Sequence, residues 1–92
     1  MAVVRPVATV RVTSDFEKSF RKLPHPLQDR AAQRDRWFRA NAFDRRLRTH
    51  PLKGALDGYW AYSVTYHHRV LFRFLSEGEV LYYDIGTHEI YR

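Results

Sequence analysis

The sequence predicts an α+β domain in the order β-α-α-β-β-β, with an N-terminal helix hairpin packed on one face of a small, mainly antiparallel twisted sheet. Three observations predict it: a β-branched run at residues 7–12, two helical segments divided by Pro24-His25-Pro26, and an alternating, aromatic stretch from Tyr59 to Ile85. Val7-Ala8-Thr9-Val10-Arg11-Val12 is the expected first strand. Ser14-Asp15-Phe16-Glu17 has the pattern of a capping box, Ser14 accepting from the backbone and Glu17 reaching back. Phe16, Phe20 and Leu23, at i, i+4 and i+7, place one apolar stripe on the helix that follows. The two prolines break that helix and start another, with Pro26 at its first position and His25 as its cap. The second helix is expected to run to about Asn41, burying Leu27, Ala31 and Phe38 and projecting Arg30, Arg34, Arg36 and Arg39 elsewhere.

Ala42 to Gly58 has no period and reads as a loop carrying His50 and Lys53. Tyr59–Tyr66 alternates, which sets Trp60, Tyr62, Val64 and Tyr66 on one face. Arg69–Leu75 and Val80–Ile85 are the last two strands, joined through Ser76-Glu77-Gly78-Glu79 as a hairpin turn. No repeat, linker or low-complexity segment interrupts the 92 residues, and one domain spanning 1–92 is expected.

Net charge is +6, and residues 15–49 alone carry ten basic against five acidic side chains. That field suits a polyanion or an acidic protein partner, although a solvated helix face has the same composition. The absence of cysteine removes disulfides, thiolate nucleophiles and Cys-type zinc sites. No apolar run is long enough for a membrane span, and the N-terminus lacks the apolar core of a signal peptide, so a cytoplasmic location is expected.

Five histidines remain to be sorted. His25 lies between prolines at a helix start and reads as structural. His50 sits in a Pro/Gly loop, where functional side chains are often displayed. His67 and His68 fall at a strand boundary and are expected to point to opposite faces. His88 follows the last strand. No helical histidine pair signals a metal, no Gly-rich loop ends in Lys-Ser/Thr, and no nucleophile elbow supports a serine triad. Cleavage of RNA without a metal fits the side chains better. A ribose 2′-OH attacks the adjacent phosphodiester when a base takes its proton, an acid protonates the leaving 5′-oxygen, and a cation stabilises the transition state. Histidine serves as base or acid, and Lys or Arg supplies the charge. His50, His67, His88, Lys53 and Arg69 are that set, while Trp60, Tyr66 and Tyr91 are candidates to stack unpaired bases.

Three segments resemble the RelE/ParE toxin superfamily and, within it, the YafQ-like mRNA endonucleases. They are His50-Pro51-Leu52-Lys53-Gly54 with Gly58-Tyr59-Trp60, then His67-His68-Arg69-Val70-Leu71-Phe72, then Asp84-Ile85-Gly86-Thr87-His88-Glu89-Ile90-Tyr91. The resemblance spans nearly the whole chain from about Val7. It implies a toxin of a bacterial toxin–antitoxin pair that cuts mRNA, typically in the ribosomal A site, needs no metal or organic cofactor, and is neutralised by a small antitoxin protein. By position, His50 and His88 match the catalytic histidines of the YafQ-like group, and Lys53 and Arg69 match cations near the scissile phosphate. Of the two matched histidines, His50 is expected to be the general base and His88 the general acid, with the reverse assignment open; His67 is expected in support, and Tyr91, from its aromatic ring, in RNA binding. Two positions depart from the YafQ-like pattern: Ser63 stands where that group has a histidine, and His67 where it has an aspartate. The competing readings are a ParE-like protein that inhibits DNA gyrase by binding, a basic interaction domain acting through its helix hairpin, and an inactive relative.

Overall fold

Residues 4–91 are described by a computed structural model, in which five strands form one sheet in the order β1-β5-β4-β3-β2. The strands are β1 (Thr9–Val12), β2 (His50–Pro51), β3 (Trp60–Ser63), β4 (Arg69–Ser76) and β5 (Glu79–Gly86). Two helices, α1 (Ser14–Lys22) and α2 (His25–Ala40), lie between β1 and β2 in the chain. β1 runs parallel to β5, and the other pairings are antiparallel. The expected α+β architecture is therefore present, with one strand more than the sequence predicts.

Both helices give their apolar side chains to the same face of the sheet. Phe16, Phe20 and Leu23 of α1 pack against a core that includes Ala31 and Phe38 of α2. The sheet contributes Tyr62, Val70, Phe72, Val80, Tyr82 and Ile85 to that core. Phe38 is fully buried, and its ring lies 4.8 Å from Tyr62, 4.9 Å from Phe72 and 5.7 Å from Tyr82. A polar chain crosses the same region: the Tyr62 hydroxyl donates to that of Tyr82 at 3.0 Å, which donates to Asp35 Oδ1 at 2.7 Å. Burial drives both tyrosine pKa values upward, so the hydroxyls keep their protons and the chain stays a run of neutral donors ending on a carboxylate.

Four local expectations are corrected. Thr13, not Ser14, caps α1, because Thr13 N–H is already tied to the Tyr82 carbonyl and this places its Oγ1 to accept from Phe16 N–H at 3.0 Å. The same hydroxyl donates to the Tyr83 carbonyl at 2.7 Å. Thr13→Ala is expected to cost about 1–2 kcal/mol, because one substitution removes both the helix cap and a tie to β5; urea unfolding measures it. His25 does not cap α2. Pro24 occupies that position without a side-chain bond, and Gln28 Nε2 instead donates to the carbonyls of Phe20 at 3.0 Å and Leu23 at 3.1 Å at the end of α1.

The stretch from Ala42 to Gly58 is not all loop. His50 and Pro51 pair with Ala61 and Trp60 as an edge strand, the position where a residue without an N–H is tolerated. Finally, β3 stops at Ser63 instead of Tyr66. Val64 N–H donates to the His68 carbonyl at 2.9 Å, and Thr65 Oγ1 accepts from His67 and His68 N–H, closing a turn over 64–68. Tyr66 is consequently 83% exposed and off the apolar face, and His67 and His68 share a turn rather than opposite faces of a strand. No helix among the described residues is long and apolar enough to cross a membrane.

Candidate nucleic-acid interface

The face of the sheet away from α1 and α2 carries the candidate site. Registered partners in a sheet point to the same side, as do residues two apart along a strand. His50, Ala61, Leu71 and Asp84 are successive partners across β2, β3, β4 and β5, and Ser63, Arg69 and Gly86 form the next row. His50 and Arg69 thus share a face. Two strand spacings and two residue rises separate their Cα atoms by about 12 Å, a span that two side chains reaching toward one phosphodiester can cover. A bulge makes this arrangement possible. Pairing passes from Leu71–Asp84 to Phe72–Tyr82, so Tyr83 is an extra residue that returns Ile85 to the core and leaves Asp84 on the outer face.

His50 is exposed, and its Nδ1 lies 2.9 Å from the Arg48 carbonyl. A carbonyl only accepts, so Nδ1 carries the hydrogen and the neutral ring keeps its free lone pair on Nε2. That is the tautomer a general base needs. His88 is exposed at the head of a short 3-10 turn, His88–Tyr91, that folds back on β4 and β5. Ile90 of this turn sits on Gly86, where an added Cβ would lie 2.9 Å from Ile90 Cγ2, so a side chain at Gly86 would lift the turn. Tyr91 is half-buried beside Arg69: burial raises its hydroxyl pKa, and the guanidinium charge acts in the opposite sense.

Arg69 is the most constrained of the candidates. Its Nη1 lies against the carbonyls of Thr65, Tyr66 and His68 at 2.7, 2.9 and 3.1 Å, which fixes the 64–68 turn. Among the described residues Nε and Nη2 have no protein partner. Lys53 is exposed where a second 3-10 turn, Gly54–Leu56, begins. His67 is exposed, with its ring 4.9 Å from that of Tyr66. Lys53 and His67 lie beyond opposite ends of β3, separated by the about 17 Å of extended chain from Tyr59 to Val64. His50, Arg69, Tyr91 and the turn headed by His88 therefore belong to one face, while Lys53 and His67 stand at its two ends. Among the described residues no hydrogen bond joins His50, His67 and His88 to one another, and no three His, Asp or Glu side chains are grouped to hold a metal ion.

Sequence reasoning missed one feature. Arg30 and Arg34 of α2, Arg46 and Arg48 of the following loop, and Arg69 of β4 line a single cleft of about 250 Å³, with no acidic side chain among its lining residues. The excess of positive charge between residues 15 and 49 was the only available signal, and it does not say which arginines meet.

No protein-family model matches this chain, and no curated protein matches it. Solved structures do. A YoeB/ParE toxin from Agrobacterium tumefaciens superposes with a TM-score of 0.74 at 19% identity, over 87% of this chain and 98% of that one. A YafQ variant from E. coli gives 0.71 at 14% identity, over 89% and 94%. The archaeal RelE–RelB complex from Pyrococcus horikoshii contains a chain matching with a TM-score of 0.68 at 12% identity, over 92% and 96%. Each superposition covers 87% or more of this chain, and the fold of this chain is the fold of the RelE/ParE-type toxins.

Proposed function

We propose that this protein is the toxin of a toxin–antitoxin pair and an endoribonuclease that cuts mRNA by acid–base catalysis with histidine. The observation that carries the reading is His50, which presents an unpaired Nε2 on the same sheet face as Arg69 and beside an arginine-lined cleft. In the proposed reaction Nε2 of His50 takes the 2′-OH proton and the 2′-oxygen bonds to phosphorus. The bond from phosphorus to the 5′-oxygen breaks as His88 delivers a proton to that oxygen. The products are a 2′,3′-cyclic phosphate and a free 5′-OH, and no other reactant is consumed. Arg69 neutralises the phosphate with its free Nε and Nη2, Lys53 holds the RNA backbone toward the other end of β3, Tyr91 lies against the RNA beside Arg69, and His67 borders the entry. An exposed site with few fixed charges gains from a partner that holds mRNA in line for attack, which is the role proposed for the ribosome.

The Pyrococcus horikoshii structure is a complex of RelE with RelB. A cognate antitoxin with an acidic or amphipathic segment is the corresponding partner proposed here, and it would cover the basic surface.

The test is induced expression of the wild type beside a His50→Ala/His88→Ala variant, with transcript 5′ ends mapped in both. Growth arrest with new cuts in translated mRNA, both lost in the variant, is the expected result. Arrest that persists in the variant without mRNA cuts overturns the nuclease reading and leaves inhibition by binding, as in a gyrase-directed toxin.

A further inference from the structure

We propose that the arginine cleft is a second RNA-binding site, which seats a backbone phosphate of single-stranded RNA and stacks the adjoining base on Tyr66. The identity of the polyanion rests on the endoribonuclease reading above; the site itself rests on geometry. Five arginines line one cleft, and three of them, Arg34, Arg46 and Arg69, are held in place before any ligand arrives. Trp37 lies between two of them, with Arg34 Cζ 4.2 Å and Arg46 Cζ 3.6 Å from its ring centroid. Asp44 fixes Arg46 further through bonds of 3.0 Å to Nε and 2.7 Å to Nη2. Asp44 is not a lining residue, so it orients one arginine without filling the cleft.

The remaining positive charge is uncompensated. Arg34 is pulled below the ordinary guanidinium range by burial and then by the charges of Arg30 and Arg46. Like charges held together by stacking are stabilised by an anion placed among them, and a phosphodiester offers the paired oxygens that guanidinium groups recognise.

Tyr66 decides between a free anion and a nucleic acid. It borders the cleft, is 83% exposed, and is held at the tip of the turn that Arg69 fixes. An aromatic ring presented to solvent beside a phosphate site is a platform for an unstacked base, and unstacked bases are a property of single strands. Trp60, the other aromatic candidate in this part of the chain, instead packs into the core against Phe43 and Phe74. The cleft meets the histidine face through Arg69, so one strand can occupy both, with the seated phosphate lying outside the cut.

Binding is measured by fluorescence anisotropy of a short labelled single-stranded RNA across a salt series, in the His50→Ala/His88→Ala background so that the probe stays intact. Duplex DNA of the same sequence and inorganic phosphate are the competitors. The Arg30→Gln/Arg34→Gln variant is expected to bind at least tenfold more weakly, and its slope of log affinity against log salt to fall by about 0.7, the value for one lost phosphate contact on a single strand. Tyr66→Ala is expected to weaken RNA binding by roughly tenfold with the slope unchanged. Arg30 and Tyr66 are exposed, so thermal melts of Arg30→Gln alone and of Tyr66→Ala should match their background; Arg34 stacks on Trp37, so Arg30→Gln alone is the control, and it should weaken RNA binding in the same direction. Parental affinity and slope in the arginine variant overturn the proposal. Duplex DNA competing as well as RNA, with no effect of Tyr66→Ala, also overturns it and assigns the cleft to DNA. Cutting by the wild type is scored separately. Loss of binding in the cleft variants without any cutting by the wild type retires the nuclease reading alone, whereas cutting with parental binding in those variants retires the cleft alone.

Discussion

Replacing His50 by alanine is expected to slow RNA cutting by about 10²–10⁴-fold, the usual contribution of a positioned acid or base. The fold should not suffer, because the ring is exposed and its one side-chain bond goes to the Arg48 carbonyl. His50→Asn separates chemistry from placement: the amide can still donate to that carbonyl, yet it offers no basic nitrogen, so its rate should fall as far as that of alanine. His88→Ala is expected to lose a similar factor for a different reason, and the leaving group reveals which. An RNA with sulfur in place of the bridging 5′-oxygen expels a thiolate that needs no proton. It should restore cutting by His88→Ala and leave His50→Ala slow. The opposite pattern exchanges the two roles, and rescue of neither variant removes His88 from proton transfer. The double variant should lose less than the product of the single losses, since the two groups act on one transition state. Single-turnover rates on the two substrates supply every one of these comparisons.

How much of this was legible in the sequence depends on the range of the interaction. The stripe of Phe16, Phe20 and Leu23, the break at Pro24 and the turn at Gly78, which has φ of 79°, are decided within a few residues, and each stands where expected. β2 was not legible, because His50-Pro51 has no period of its own and is a strand only through Ala61 and Trp60. Alternation likewise placed Tyr66 with Trp60 and Tyr62, but the Thr65 hydroxyl and the Arg69 guanidinium end β3 first, through contacts that a period of two does not encode. The candidate site divides in the same way. His50, His88, Lys53 and Arg69 were distinguishable by residue type and local setting. The bulge at Tyr83 and the meeting of Arg30, Arg34, Arg46, Arg48 and Arg69 depend on tertiary register, and arginines on a helix otherwise read as a solvated face.

Phe38→Ala is expected to lower the folding free energy by about 4 kcal/mol, within the range for a buried phenylalanine whose site cannot collapse. Collapse is prevented by position. The ring is fully buried under α2 and touches Tyr62 of β3, Phe72 of β4 and Tyr82 of β5, so no single side chain can swing in without opening an equal gap where it now packs. Tyr62 and Tyr82 are further pinned by their hydroxyls and by Asp35. For a domain of this size the melting temperature should fall by roughly 20 °C. Urea unfolding should show a lower midpoint with an unchanged slope, because the surface exposed on unfolding stays nearly the same. Phe38→Leu keeps most of the volume and should recover more than half of the loss. A loss below about 1 kcal/mol for alanine would mean that α2 settles onto the sheet and fills the space. That outcome would be visible at the surface too. Trp37 precedes Phe38 on α2, and Arg34 lies one turn earlier, so a helix that moved inward would carry the stacked arginines with it and change RNA affinity. A rigid cavity leaves that affinity at the wild-type value below the new midpoint. Stability and binding measured on the one variant therefore tell whether the core merely supports α2 or also sets the geometry of the cleft.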